Sequence, residues 1–221
     1  MCSLDAAQRG LDVAMDVLAS HLPFLKRLMT FHINVTSVQK ICLQLLLQLS
    51  SHSAAMAAST SAECSSCVAK VMQAHAGDER IQSDCYLLLG TLAEQRVLAE
   101  TPWFCEPLVS TVLHHCLAEM RKAPSSLELQ DDGLYLLACF AMHSAASVEA
   151  ILSANGLDVV KQAMQRFTDV EDVQDSGCRA ISALARSSAN VVKRLLAANI
   201  VELLIASMVG HPSNANVQVR R

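Results

Sequence analysis

Along the chain, apolar residues recur three and four apart, which is the period of a helix with one buried face. The strings at 38–50 (VQKICLQLLLQLS), 81–93 (IQSDCYLLLGTLA), 129–141 (LQDDGLYLLACFA) and 173–185 (VQDSGCRAISALA) are variants of one such stripe. They align on a glutamine that recurs as Gln39, Gln82, Gln130, Gln174 and Gln218, at spacings of 43, 48, 44 and 44 residues. Counted from it, position −1 is aliphatic (Val38, Ile81, Leu129, Val173, Val217) and position +3 is small (Cys42, Cys85, Gly133, Gly177). Positions +7 and +10 are bulky and apolar: Leu46 and Leu49, Leu89 and Leu92, Leu137 and Phe140, Ile181 and Leu184. This spacing predicts one helix per unit, and the small residue at +3 predicts close approach by a neighbouring helix, since bulk there would hold the backbones apart.

Ten residues before each glutamine stands a methionine: Met29, Met72, Met120, Met164 and Met208. It lies on a second amphipathic segment, such as GLDVVKQAMQRF (156–167) or NIVELLIASMVGH (199–211), separated from the glutamine segment by a polar break such as TDVED. A shorter amphipathic piece, as in SAASVEAILSAN or SSANVVKRLLAAN, precedes it. Three helices per roughly 44 residues recur, a period within the range of stacked helical repeats. No segment sustains the period-2 alternation of a strand.

The order of short helix, then G-x-x-x-V-x-x-A-M, then V-Q-x-x-G-C-x-A-I-x-A-L-A resembles the armadillo repeat, over nearly the whole chain and most closely from about residue 147 onward. In flavour it is more similar to the divergent arrays of leucine-rich-repeat kinases than to importin-alpha. The resemblance implies an all-α, right-handed superhelical solenoid of about four complete three-helix repeats with partial units at both ends. A single domain, 1–221, is expected, with repeats at 22–62, 63–107, 108–154 and 155–198, a partial unit at 1–21 and a truncated fifth at 199–221. Residues 5 to 20 are expected to form a partial capping helix, and the chain to be a segment of something longer. Uncapped ends expose faces meant for a neighbour, so end-to-end self-association through the termini is also expected. The second unit is longer by about four residues near TPWFCEP (101–107), whose Trp103 and Phe104 either pack back on the solenoid or anchor a partner.

In armadillo arrays the third helices line a concave groove. The resemblance places Gln44, Leu87, Tyr135 and Arg179 on it at +5, and Gln48, Thr91, Cys139 and Ala183 at +9. The Trp and Asn that importin-alpha-like arrays carry at these positions are absent, which argues against a receptor for basic signals. The expected function is a non-catalytic interaction scaffold, not an enzyme, that binds an extended, neutral to acidic protein segment. The alternative is a stacking or spacer module of a larger, kinase-like protein, with a cysteine-based metal or redox role a distant third.

Composition narrows this further. Apolar residues make up 52% of the chain and aromatic residues 4%, with 7 Gly and 5 Pro, which favours an aliphatic helical core over a turn-rich sheet. A formal charge of −4 supplies no basic field, so nucleic acid is not an expected partner. No apolar run reaches the ~18 residues of a membrane span, and no membrane partner is expected. Nine scattered cysteines and an N-terminus without a secretory pattern point to reduced thiols in the cytoplasm.

Candidate chemistry is sparse, and neither a cofactor nor a metal is expected. Cys64 and Cys67 have C-x-x-C spacing, but no second ligand pair accompanies them. His114 and His115 lack an evident carboxylate partner and are expected at the surface or boundary. His32, His75 and His211 share position −7 and are expected to sit at helix C-termini, where an imidazolium suits the dipole. Asp131 and Asp132 read as a solvated helix start.

Overall fold

The computed structural model describes residues 15–95 and 106–219, and every regular element among them is a helix. After a helical run at 15–20 come α1 (Leu22–Phe31), α2 (Thr36–His52), α3 (Ala54–Ala74), α4 (Glu79–Glu94), α5 (Glu106–Lys122) and α6 (Leu127–His143). They are followed by α7 (Ala145–Ser153), α8 (Gly156–Arg166), α9 (Glu171–Ala185), α10 (Ala189–Ala197), α11 (Ile200–Gly210) and α12 (Ala215–Val219). The glutamine helices α2, α4, α6, α9 and α12 pack side by side in that order, and the methionine helices form a second row behind them. The two rows enclose the predicted stripe: Leu46, Leu49, Leu89, Leu92, Leu137, Phe140, Ile181 and Leu184 are all buried. The TPWFCEP segment lies outside the described residues except for the start of α5, as do residues 5–14 of the expected capping helix.

The recurring glutamine is a structural cap. In each unit its buried amide Nε2 donates to the carbonyls at −10 and −7, the last turn of the methionine helix, which have no partner within that helix. Gln82 reaches Met72 O at 2.8 Å and His75 O at 2.9 Å, and Gln174 reaches Met164 O at 2.8 Å and Phe167 O at 2.9 Å. Gln39, Gln130 and Gln218 repeat the bond pair. The methionine itself fills the space over the small residue at +3. A Cβ on Gly177 would stand 2.5 Å from Met164 Cγ, and one on Gly133 2.6 Å from Met120 Sδ.

The short helix is separate in only part of the array. Asn155 and Asn199 take left-handed φ of 52° and 55°, ending α7 and α10 and turning the chain into α8 and α11. The same register position in the second unit is Glu63, which lacks asparagine's tolerance of that conformation. There the expected short and methionine helices run together as the 21-residue α3, and the expected 62/63 junction falls inside it.

Polar contacts also join neighbouring units, and they are not the same at every junction. His75 Nε2 donates to Ile33 O and His211 Nε2 to Thr168 O, each at 2.7 Å. At the second junction, Gly77 N donates to Glu119 Oε2 at 2.8 Å, and at the third, Arg166 donates to Ser125 Oγ at 2.5 Å. The −7 histidines thus do not simply answer their own helix dipole: the rings of His75 and His211 reach into the preceding unit, while His32 stacks edge-on against Phe31.

Candidate functional site

Positions +5, +9 and +12 share one face of each glutamine helix, at i, i+4 and i+3 steps. In α2 this face carries Gln44 and Gln48, both exposed and without a hydrogen bond among the described residues. In α4 it carries Leu87 and Thr91, both half-buried, and the Thr91 hydroxyl donates back to Leu87 O at 2.8 Å. In α6 and α9, +5 is Tyr135 and Arg179, each half-buried. Cys139 and Ala183, expected on the groove at +9, are instead 0% and 4% exposed. Both helices are flanked on two sides, α6 by α4 and α9, and α9 by α6 and α12, so small side chains at the seam are covered. Among the described residues helix α2 has a glutamine-helix neighbour on one side only, and Gln48 is exposed.

Tyr135 and Arg179 are already engaged. The Tyr135 ring lies on Gly90, where a Cβ would stand 2.5 Å from its Cε1. Its hydroxyl donates to Glu94 Oε2 at 2.7 Å, and the Arg179 guanidinium donates to Glu94 Oε1. The same guanidinium carbon sits 5.1 Å from the Tyr135 ring centroid, within cation–π range. Burial above all raises the Tyr135 phenol far above its ordinary value, so it remains a neutral donor. Glu94 stands at +12 of α4, one turn beyond Thr91, and a ladder drawn only at +5 and +9 passes it by.

The contact also bears on the curvature of the row. Arg179 on α9 meets Glu94 on α4 across the intervening α6. Two helix spacings on a flat row are roughly 16–20 Å, whereas an extended arginine and glutamate with a hydrogen bond between them span roughly 15 Å from standard bond lengths. Bending of the row toward this face shortens that span. At the C-terminal ends of α6 and α9, Met142, Ala183 and Arg186 line a depression of about 390 Å³.

The other candidates are accounted for by packing. Cys64 and Cys67 are both buried against α1, each Sγ 4.0 Å from a backbone carbonyl, of Leu22 and Lys26 respectively. Burial pushes the Cys64 thiol up to about 12, far from a reactive thiolate. Among the described residues no group of three or more His, Cys, Asp or Glu is placed to hold a metal. His115 Nε2 donates to Gln82 Oε1 at 3.1 Å, and burial lowers its pKa; His114 is exposed. Asp131 and Asp132 are not a solvated helix start. Asp131 accepts from Ser176 Oγ at 2.6 Å in the following unit, and Asp132 accepts from Ser83 Oγ in the preceding one. Burial raises both, Asp132 to about 6. Among the described residues no helix is long and apolar enough to cross a membrane.

Similarity to known proteins follows the architecture. A crystal structure of an engineered protein from the Northeast Structural Genomics Consortium aligns with a TM-score of 0.69 at 18% identity, covering 90% of this chain and 45% of its own. The chain therefore spans less than half the length of that protein. A second engineered protein from the same consortium aligns at 0.60 with 15% identity, covering 90% and 92%. A designed armadillo repeat protein aligns at 0.59 with 13% identity, covering 90% and 96%. At such identities the likeness shows the fold alone. No curated protein matches. The family described as LRRK2 ARM repeat matches residues 3–221. This chain, with its glutamine-capped helical units and no strand among the described residues, belongs to the LRRK2 ARM repeat family.

Proposed function

We propose that the chain is a non-catalytic interaction scaffold that takes an extended protein segment along the face formed by Gln44, Gln48, Leu87, Thr91 and Tyr135. Armadillo arrays typically serve protein interaction, and the observation that carries the finer reading is the pair of open amides at Gln44 and Gln48. Each offers donors and an acceptor, the inventory needed to pair with an extended backbone. They lie in register with the half-buried apolar rungs of α4 and α6. The proposed partner is neutral to acidic: the +5 and +9 positions from Gln44 to Tyr135 carry no charge, and the carboxylate beside them, Glu94, is matched by Arg179. Cys139 packs beneath this face, and Ala183, 4% exposed, offers it little surface.

Selection from a displayed random peptide library on the immobilised chain tests this reading. The selected peptides should bind Gln44→Ala, Gln48→Ala protein at least ~10-fold more weakly, about 1.4 kcal/mol. Equal binding to the variant would rule out this face.

One observation favours a second reading, end-to-end stacking. On α11, Val201, Ile205 and Val209 are 44%, 55% and 74% exposed, and on α1, Phe24 and Phe31 are 60% and 85% exposed. Sedimentation at rising concentration should show self-association that Ile205→Glu with Val209→Glu removes. A monomer at every concentration would eliminate it.

A further inference from the structure

The Glu94–Tyr135–Arg179 contact differs in reach from the other links between units. Ser83–Asp132 and Gly77–Glu119 join neighbours, whereas Arg179 and Glu94 are 85 residues apart and skip a whole unit. Such a bond ties second-neighbour helices together, and bending of the row toward this face shortens the span it must cross. The middle helix contributes Tyr135, whose ring seats on the bare backbone of Gly90 and under the guanidinium, so that it fills the space beneath the ion pair. The Glu94 side chain is 46% exposed and that of Arg179 17%, so water reaches the carboxylate while the guanidinium is largely sheltered.

We propose that Glu94, Tyr135 and Arg179 form a staple that sets the curvature of the array across α4, α6 and α9, and that breaking it opens the concave face. Hydrophobic packing between neighbouring helices fixes their spacing and leaves the bend between second neighbours comparatively soft. A bond spanning two spacings acts on that bend directly. The staple would therefore govern how far the Gln44 end of the face stands from the Arg179 end, whether or not the face binds a peptide.

Electron–electron distance measurement tests this on the full chain, with spin labels on unnatural residues at Gln44 and Ser187, so that the native cysteines are left unlabelled. Glu94→Ala and Arg179→Met should each lengthen the mean distance by a few ångströms and broaden its distribution. The charge swap Glu94→Arg with Arg179→Glu should bring it back toward the wild-type value. If Arg179→Met does not fold, Glu94→Ala at the exposed end of α4 and the swap still decide the matter. An unchanged distance in Glu94→Ala would overturn the staple. So would a lengthening that the swap fails to reverse, since side-chain packing and not the ion pair would then set the bend.

Discussion

At the scale of single residues, the glutamine and the glycine make the sharpest predictions. Gln174→Met keeps approximate volume but leaves the carbonyl of Met164 without the Gln174 donor and that of Phe167 with Val170 N–H alone, so the urea midpoint should fall by the equivalent of ~1–3 kcal/mol. An unchanged midpoint would show that these bonds contribute nothing net. Gly177→Leu should cost ~1–3 kcal/mol through overpacking against the fully buried Met164, despite a better helix propensity. A melting temperature that rises would contradict the register. The sequence made the positions of Gln, Met and the small residue plain, because each recurs at a fixed offset. It did not reveal what they do for one another. The −10 and −7 carbonyls belong to backbone, which leaves no mark in a residue pattern, and Glu94 occurs at its position only once. Cys139 and Ala183 were misplaced for a related reason: helical phase gives the direction of a side chain but not how far neighbouring helices cover it.

At the scale of helices, the breaks and bridges between them are governed by single side chains. Asn199→Ala should cost ~1–2 kcal/mol because alanine lacks asparagine's tolerance of the left-handed turn between α10 and α11. Asn199→Gly should be nearly neutral, and equal stability of the Ala and Gly variants by chemical denaturation would dismiss the turn as the cause. The fused α3 follows from the same rule, and a pattern search that counts apolar stripes without asking what interrupts them expects a break that is absent. Asp132 makes the α4–α6 junction pH-dependent. Its carboxyl titrates at about 6 in the fold against 3.8 as its ordinary value. A raised folded pKa contributes stability that is complete below about 3.8 and lost as pH rises through about 6. Asp132→Asn should therefore stabilise the protein at pH 7.5 by about 1 kcal/mol, and the difference should vanish near pH 4. A constant difference across that range would assign the effect to something other than the proton.

At the scale of the molecule, stability and binding are intertwined on the concave face. Read from sequence, Tyr135 and Arg179 are groove residues at +5. In the structure Tyr135 covers Gly90, holds Glu94 and lies under Arg179. Tyr135→Ala should therefore lower the unfolding free energy by ~1–3 kcal/mol, as partial loss of a packed aromatic does, and thermal denaturation would show it. A variant as stable as wild type would leave Tyr135 a surface residue. Binding on this face is thus better probed at Gln44 and Gln48, which hold nothing together. The junctions carry a consequence of another kind. The caps within units are alike, but the joints are only partly so: histidine to carbonyl at the first and fourth, a Ser–Asp bond at the second and third, and beside it glycine N–H to Glu119 at the second but Arg166 to Ser125 at the third. Excising one unit of the period would keep every cap and still misjoin the array. With the third unit gone, Gly77 N would face the fourth unit, where Ala163 stands in the register of Glu119 and brings no side-chain acceptor. An ancestry of copied modules is compatible with this chain, but its modules are no longer interchangeable parts, and their order has become as fixed as the sequence within them.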